Sequence, residues 1–114
     1  MAAITDTTTT TPDTEEITRP DREKLYHVII LNDDDHTYDY VIEMLQSVFG
    51  FSLATAAQHT YEADTTGSSV VATCGLEEAE NKRDLIHAYG PDWRLPHSRS
   101  SVAALVEPAA EGSN

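Results

Sequence analysis

Six consecutive residues, Asn32-Asp33-Asp34-Asp35-His36-Thr37, concentrate oxygen acceptors and one imidazole in a short polar stretch. Side chains of these types can do three kinds of work. They can cap a helix that starts just after them, because Asn and Asp accept from the free N–H groups of a first turn and the aspartates' negative charge suits its dipole. They can hold a metal. Asp33, Asp35, Thr37 and Asp39 sit at alternate positions, as oxygen ligands do in a calcium loop. Such a loop also needs a glycine at its sixth position and a glutamate at its twelfth, and here those places hold Tyr38 and Met44. Third, His36 could act as a base. No nucleophile accompanies it: Cys74 ends an apolar run, no serine lies in a nucleophile motif, and there is no phosphate loop. His27, His59, His87 and His97 are scattered without metal-ligand spacing. A protein without catalytic activity is therefore expected, with an acidic metal-binding loop as an alternative.

The elements that must position this cluster can be read on either side of it. Tyr26-His27-Val28-Ile29-Ile30-Leu31 is a short apolar, β-branched run and predicts a buried strand that ends at the cluster. A helix beginning near Thr37 or Tyr38 follows, with Val41, Met44, Leu45, Val48 and Phe49 on one face, and Gly50 stops it. Ser52 is a good N-cap for a second helix running to about Asp64, with Leu53, Ala56, Ala57, Thr60 and Tyr61 as its inner face. Thr65-Thr66-Gly67-Ser68 predicts a turn, and Ser69 to Cys74 a second strand. Gly75 opens a third helix whose inner side holds Leu76, Ala79, Ile86 and Tyr89, with Glu78 placed to pair with Lys82; Gly90-Pro91 ends it. Asp92 to Ser100 reads as an irregular loop in which Trp93 covers the core, and Val102 to Glu107 as a third strand. The order is strand, helix, helix, strand, helix, strand. That order predicts an α+β fold, a two-layer sandwich with a three-stranded sheet packed on three helices.

The chain has 114 residues, room for one domain. Residues 1–23 carry the threonine tract Thr7 to Thr11, two prolines and scattered acids, and read as an unfolded tail with too little apolar surface to offset ordering. The core domain is placed at 24–108, and 109–114 as a frayed end. The formal net charge is −13. Phosphate backbones repel such a chain, so nucleic acid is excluded as a partner, whereas cationic ligands and basic surfaces are drawn to it. Charge of this size also serves solubility alone. The single cysteine, Cys74, rules out an internal disulfide and reads as a buried small hydrophobe. No segment approaches the roughly 20 apolar residues of a membrane helix, and the N-terminus lacks the pattern of a signal peptide, so a cytoplasmic monomer is expected.

Val28-Ile29-Ile30-Leu31-Asn32-Asp33-Asp34 followed by Tyr40-Val41-Ile42-Glu43-Met44-Leu45-Gln46 resembles the ClpS adaptor family, whose members carry a strand ending in Asn-Asp-Asp and then a helix start at this spacing. Ala56-Ala57-Gln58, Gly67 and Ala79-Glu80-Asn81-Lys82 keep the same register, so the resemblance runs from Tyr26 to Tyr89. It implies a three-stranded antiparallel sheet. It also implies an adaptor that holds a substrate by its first residue and hands it to an ATP-dependent Clp unfoldase, with no cofactor. The implied seat for the free α-amino group is Asn32, Asp33 and Asp64. The implied pocket for the attached side chain is Tyr38, Val41, Thr60 and Ala63, and Glu77 and Lys82 fall at docking positions for the unfoldase. The chemistry is coherent: an ammonium has donors only, and carboxylates give it charge-assisted bonds. Asp34 and Asp35 keep the capping role.

The chain also departs from the family. Asp64 stands where a histidine is usual, and Tyr38 where a methionine gates the pocket. Thr60 and Ala63 replace larger apolar residues, and His36-Thr37 replaces a Thr-Pro. His87 to Ser101 is longer than the family norm. An alternative expectation is therefore an interaction module of this fold with altered or lost terminal-residue binding.

Overall fold

In the computed structural model, residues 24–109 are described. The expected tail, 1–23, and residues 110–114 of the expected frayed end lie outside the described residues. Six elements follow in the order strand, helix, helix, strand, helix, strand: β1 (Tyr26–Leu31), α1 (Tyr38–Phe49), α2 (Leu53–Thr66), β2 (Ser68–Cys74), α3 (Leu76–Ala88) and β3 (Ala104–Pro108). The sheet order is β2-β1-β3, with β1 central and antiparallel to both neighbours. The expected α+β sandwich is what forms.

Each boundary has a local cause. Thr37 is the N-cap of α1 and accepts from the Tyr40 N–H (3.1 Å), and Ser52 does the same for α2 through the Thr55 N–H (3.1 Å). Gly50 and Gly67 close α1 and α2 in the left-handed region, at φ 72° and 99°, where a side chain would be strained. Asp34 and Asp35, expected to cap α1, do not: Thr37 supplies that oxygen. Helix α2 continues past Asp64 to Thr66, consuming part of the expected turn, and β3 starts two residues later than expected.

The core lies between the sheet and the helices. β1 contributes Val28 and Ile30 from alternate positions, α1 contributes Tyr40, Met44 and Leu45, and Ala79 and Ile86 come from α3. Each fully buried large aliphatic side chain contributes about 1.5–3 kcal/mol by leaving water. The inner face of α2 differs from the expected one. Ala56, Thr60 and Ala63 are buried, whereas Leu53 and Tyr61 are 63% and 62% exposed. The buried set follows the helical spacing i, i+4, i+7 and is made of small side chains, which let α2 lie close to α1 and β2. Leu76 and Tyr89, expected on the inner side of α3, are exposed as well. Lys82 does not pair with Glu78. Its ammonium reaches the Val48 carbonyl near the end of α1 (3.3 Å), over the Phe49 ring. Trp93 is 81% exposed and does not cover the core; its ring carries the Arg94 guanidinium instead. Cys74 is half-buried and packs at the core's edge.

Candidate functional site

The turn between β1 and α1 is tied on both flanks. The Leu31 N–H donates to the Ala103 carbonyl (3.1 Å), just before β3. The Asn32 N–H donates to the Gly67 carbonyl (3.0 Å), at the end of α2. That second bond draws the last turn of α2 against the acidic turn, and the left-handed Gly67 is what lets its carbonyl face Asn32.

A third tie comes from the segment after α3. Asp92, only 1% exposed, accepts from the Thr37 N–H (2.6 Å) and the Thr37 hydroxyl (2.8 Å) through Oδ2. Its Oδ1 accepts from the Arg94 N–H (3.0 Å). Burial pushes its carboxyl pKa up, but these bonds from Thr37 and Arg94 outweigh burial and hold it below the usual value. Arg94 in turn reaches Glu43 on α1 (2.7 Å), and His97 reaches the Asp34 carbonyl (3.2 Å). The loop after α3 is thus a polar brace against the acidic turn.

These ties enclose a cavity of about 70 Å³ that opens to solvent. Its lining includes Asn32, Asp33, Tyr38, Val41, Thr60, Ala63 and Asp64, all seven pocket and seat residues expected from the sequence. Ile30, Leu31, His36, Thr37 and Val102 complete it. The floor is buried and largely apolar: Ile30, Val102, Ala63, and Thr60, whose hydroxyl donates to the Ala56 carbonyl (2.8 Å). The rim is polar. Across the mouth the Tyr38 hydroxyl donates to Asp64 Oδ2 (3.2 Å), joining the start of α1 to the end of α2. Partial loss of water raises the Tyr38 pKa, and the Asp64 carboxylate raises it further.

Asp33 is engaged within its own turn. Oδ1 accepts from the Asp35 N–H (2.9 Å), and His36 Nδ1 lies 2.8 and 2.9 Å from the two carboxylate oxygens. Among the described residues the Asn32 side chain makes no hydrogen bond. His36, a conceivable base on sequence grounds and part of the pair standing in place of a Thr-Pro, contacts Asp33 three residues before it, and that spacing is the signal for the contact. Glu77 and Lys82 lie away from this cavity on α3. Five residues of helix turn through about 500°, so the two point some 140° apart, and Lys82 is partly engaged with α1.

The chain matches the family model "ATP-dependent Clp protease adaptor protein ClpS" over residues 21–94. It belongs to the ClpS family. The family's role is that of an adaptor of the ATP-dependent Clp protease. An adapter from Alkalilimnicola ehrlichii is 34% identical over 86 residues, which cover 75% of this chain and 77% of the relative. One from Nautilia profundicola is 41% identical over 64 residues, 56% of this chain and 66% of the relative. Among solved structures, that of Agrobacterium tumefaciens ClpS2 bound to L-phenylalaninamide aligns with a TM-score of 0.63 and 32% identity, covering 77% of this chain and all of that one. Among the described residues, no helix is long and apolar enough to cross a membrane. Nor do three or more His, Cys, Asp or Glu side chains there converge to hold a metal ion.

Proposed function

We propose that this ClpS-family chain seats the free N-terminal residue of a substrate protein in the cavity between α1, α2 and the end of β1, and presents it to an ATP-dependent Clp unfoldase. The observation that carries the reading is the arrival of Asn32, Asp33 and Asp64 at the rim of one cavity with an apolar floor, from two elements joined by the Asn32–Gly67 bond. An α-ammonium offers three donors and accepts none, so it needs acceptors on more than one side. The two carboxylates and the Asn32 side-chain oxygen supply them, in a site partly shielded from water where charge-assisted bonds count for more. The side chain of the same residue would descend between Val41, Thr60 and Ala63 under Tyr38. This is binding chemistry: no covalent step is needed, and Cys74 is not part of the cavity lining. Delivery is assigned to Glu77 and the exposed part of Lys82 on α3 and to residues 1–23, acting on a basic partner surface in the cytoplasm.

Fluorescence anisotropy with labelled peptides of one frame, varied through all twenty first residues, tests the reading. Binding by the free-amine peptides and its abolition by N-terminal acetylation is the expected result. Equal affinity for acetylated and free peptides sinks it.

A further inference from the structure

Both ring nitrogens of His36 face oxygen atoms that can only accept. Nδ1 lies 2.8 Å from Asp33 Oδ1, and Nε2 lies 2.7 Å from the Ser100 carbonyl. A neutral imidazole carries one N–H and would leave one of these oxygens facing a lone pair; the doubly protonated ring satisfies both. We propose that His36 is a positioning residue for the amine seat: as an imidazolium it fixes the Asp33 carboxylate at the pocket rim and anchors it to the segment leading into β3. This rests on the function proposed above.

Three features of the fold support it. The His36 side chain is 4% exposed, so water does not readily replace either bond. Its ring orientation is set by Tyr40, whose ring lies 4.7 Å away. Tyr40 is itself buried and pinned by a bond from its hydroxyl to the Gly90 carbonyl (2.6 Å). Charge provides the third. Asp33, Asp64 and a protonated His36 all line the cavity, and two negative charges with one positive leave a net of one negative. That matches a single incoming ammonium. Without the imidazolium two carboxylates would face one cation, and their mutual repulsion would go uncompensated. Of the other charges near the turn, Asp92 holds Thr37, and Asp35 faces His97 at 3.5 Å; Asp34 is exposed to water and does not line the cavity.

A double-mutant cycle separates positioning from general support, because a residue acting through Asp33 loses its effect when Asp33 is changed. The peptide is the tightest free-amine binder of the first-residue panel. His36→Asn is expected to weaken its binding about threefold to tenfold, and in an Asp33→Asn background to change it by no more than about twofold. Losses that multiply, or no loss in the single variant, overturn the proposal. A thermal melt establishes that each variant is folded. Should His36→Asn not fold, the imidazole N–H signals of the wild type decide: slowly exchanging protons on both ring nitrogens are expected, with the Nδ1 proton losing its protection in Asp33→Asn, and a single slowly exchanging ring proton refutes the arrangement. If the wild type binds no free-amine peptide, the proposed function fails by itself, and the ring protons still report on His36.

Discussion

Replacing Asp92 tests whether the loop after α3 braces the site. The carboxylate accepts two bonds from Thr37 and one at 3.0 Å from the Arg94 N–H; the Arg94 Nη1 contact, at 3.4 Å, is weak. A hydrogen bond to a charged group contributes about 1.5–3 kcal/mol net, and a buried donor left without a partner costs about 1–3 kcal/mol. Those figures do not simply add, since Thr37 would regain some water once the side chain is gone. Asp92→Ala is therefore expected to cost about 3–4 kcal/mol, a large part of the roughly 5–15 kcal/mol that holds such a domain together. Asp92→Asn keeps the shape but loses the charge and turns one acceptor into an NH2 donor that must face either Thr37 or the Arg94 N–H, and should cost about 2–3 kcal/mol. Urea titration reads both as a lowered midpoint at unchanged slope. The pH dependence has a definite sign. The folded-state pKa of Asp92 is held below that of the unfolded chain, so the unfolded state takes up the proton first. The stabilisation is full above the unfolded value of about 3.9 and is lost as pH falls through the lower folded value. Wild type should lose more stability than Asp92→Asn on acidification from pH 5 to 3. A cost below about 1 kcal/mol for Asp92→Ala, or equal acid sensitivity in wild type and Asp92→Asn, would refute the bracing role.

Asp64→Ala should weaken binding of a free-amine peptide by about 1–3 kcal/mol while leaving the acetylated control unchanged, by fluorescence anisotropy. Tyr38→Phe removes the hydroxyl that competes for Asp64 and keeps the ring, so affinity for the same peptide should rise about twofold to fivefold; a loss would show that the hydroxyl itself contacts the ligand. Met44→Ala opens a cavity at a fully buried site and should cost about 2–5 kcal/mol in urea denaturation. Trp93→Ala, at an exposed ring, should change stability by no more than about 0.5 kcal/mol by the same measurement.

What could be read in the sequence was what depends on near neighbours. The cap at Ser52 and the stop at Gly50 act within one helical turn, and they place the end of α1 and the start of α2 correctly, whereas the cap of α1 was assigned to Asp34 and Asp35 and is Thr37. Packing across the fold was harder. Leu53 and Tyr61 offer more apolar surface to bury than Ala63, yet α2 approaches its neighbours closely enough that only small side chains fit inside. Tyr40 escaped because the apolar period ran through Val41, Met44 and Leu45, while its hydroxyl finds Gly90, a partner no local pattern reveals. Asp92, fifty-five residues from Thr37, holds the capping residue of α1 in place, a contact that no local pattern reveals. Trp93 misled for a related reason: the loop is anchored by this buried carboxylate, which leaves its largest side chain on the surface.

The division of labour among the acids follows from what each has left to give. A carboxylate offers roughly four lone-pair positions. Asp33 commits one to the Asp35 N–H and its two inner ones to His36, so little of it remains for a ligand. Asp64 commits one, to the Tyr38 hydroxyl, on a bond long enough to give way. Asn32 commits its backbone N–H to Gly67, and among the described residues its side chain is uncommitted. On the proposed reading, Asp64 and Asn32 then carry more of the ammonium's hydrogen bonding, and Asp33 acts more through its charge, held in place by His36. The acids at the rim thus divide by position: the turn holds one carboxylate clamped by its own histidine, and α2 brings a second whose single bond can still yield to a ligand.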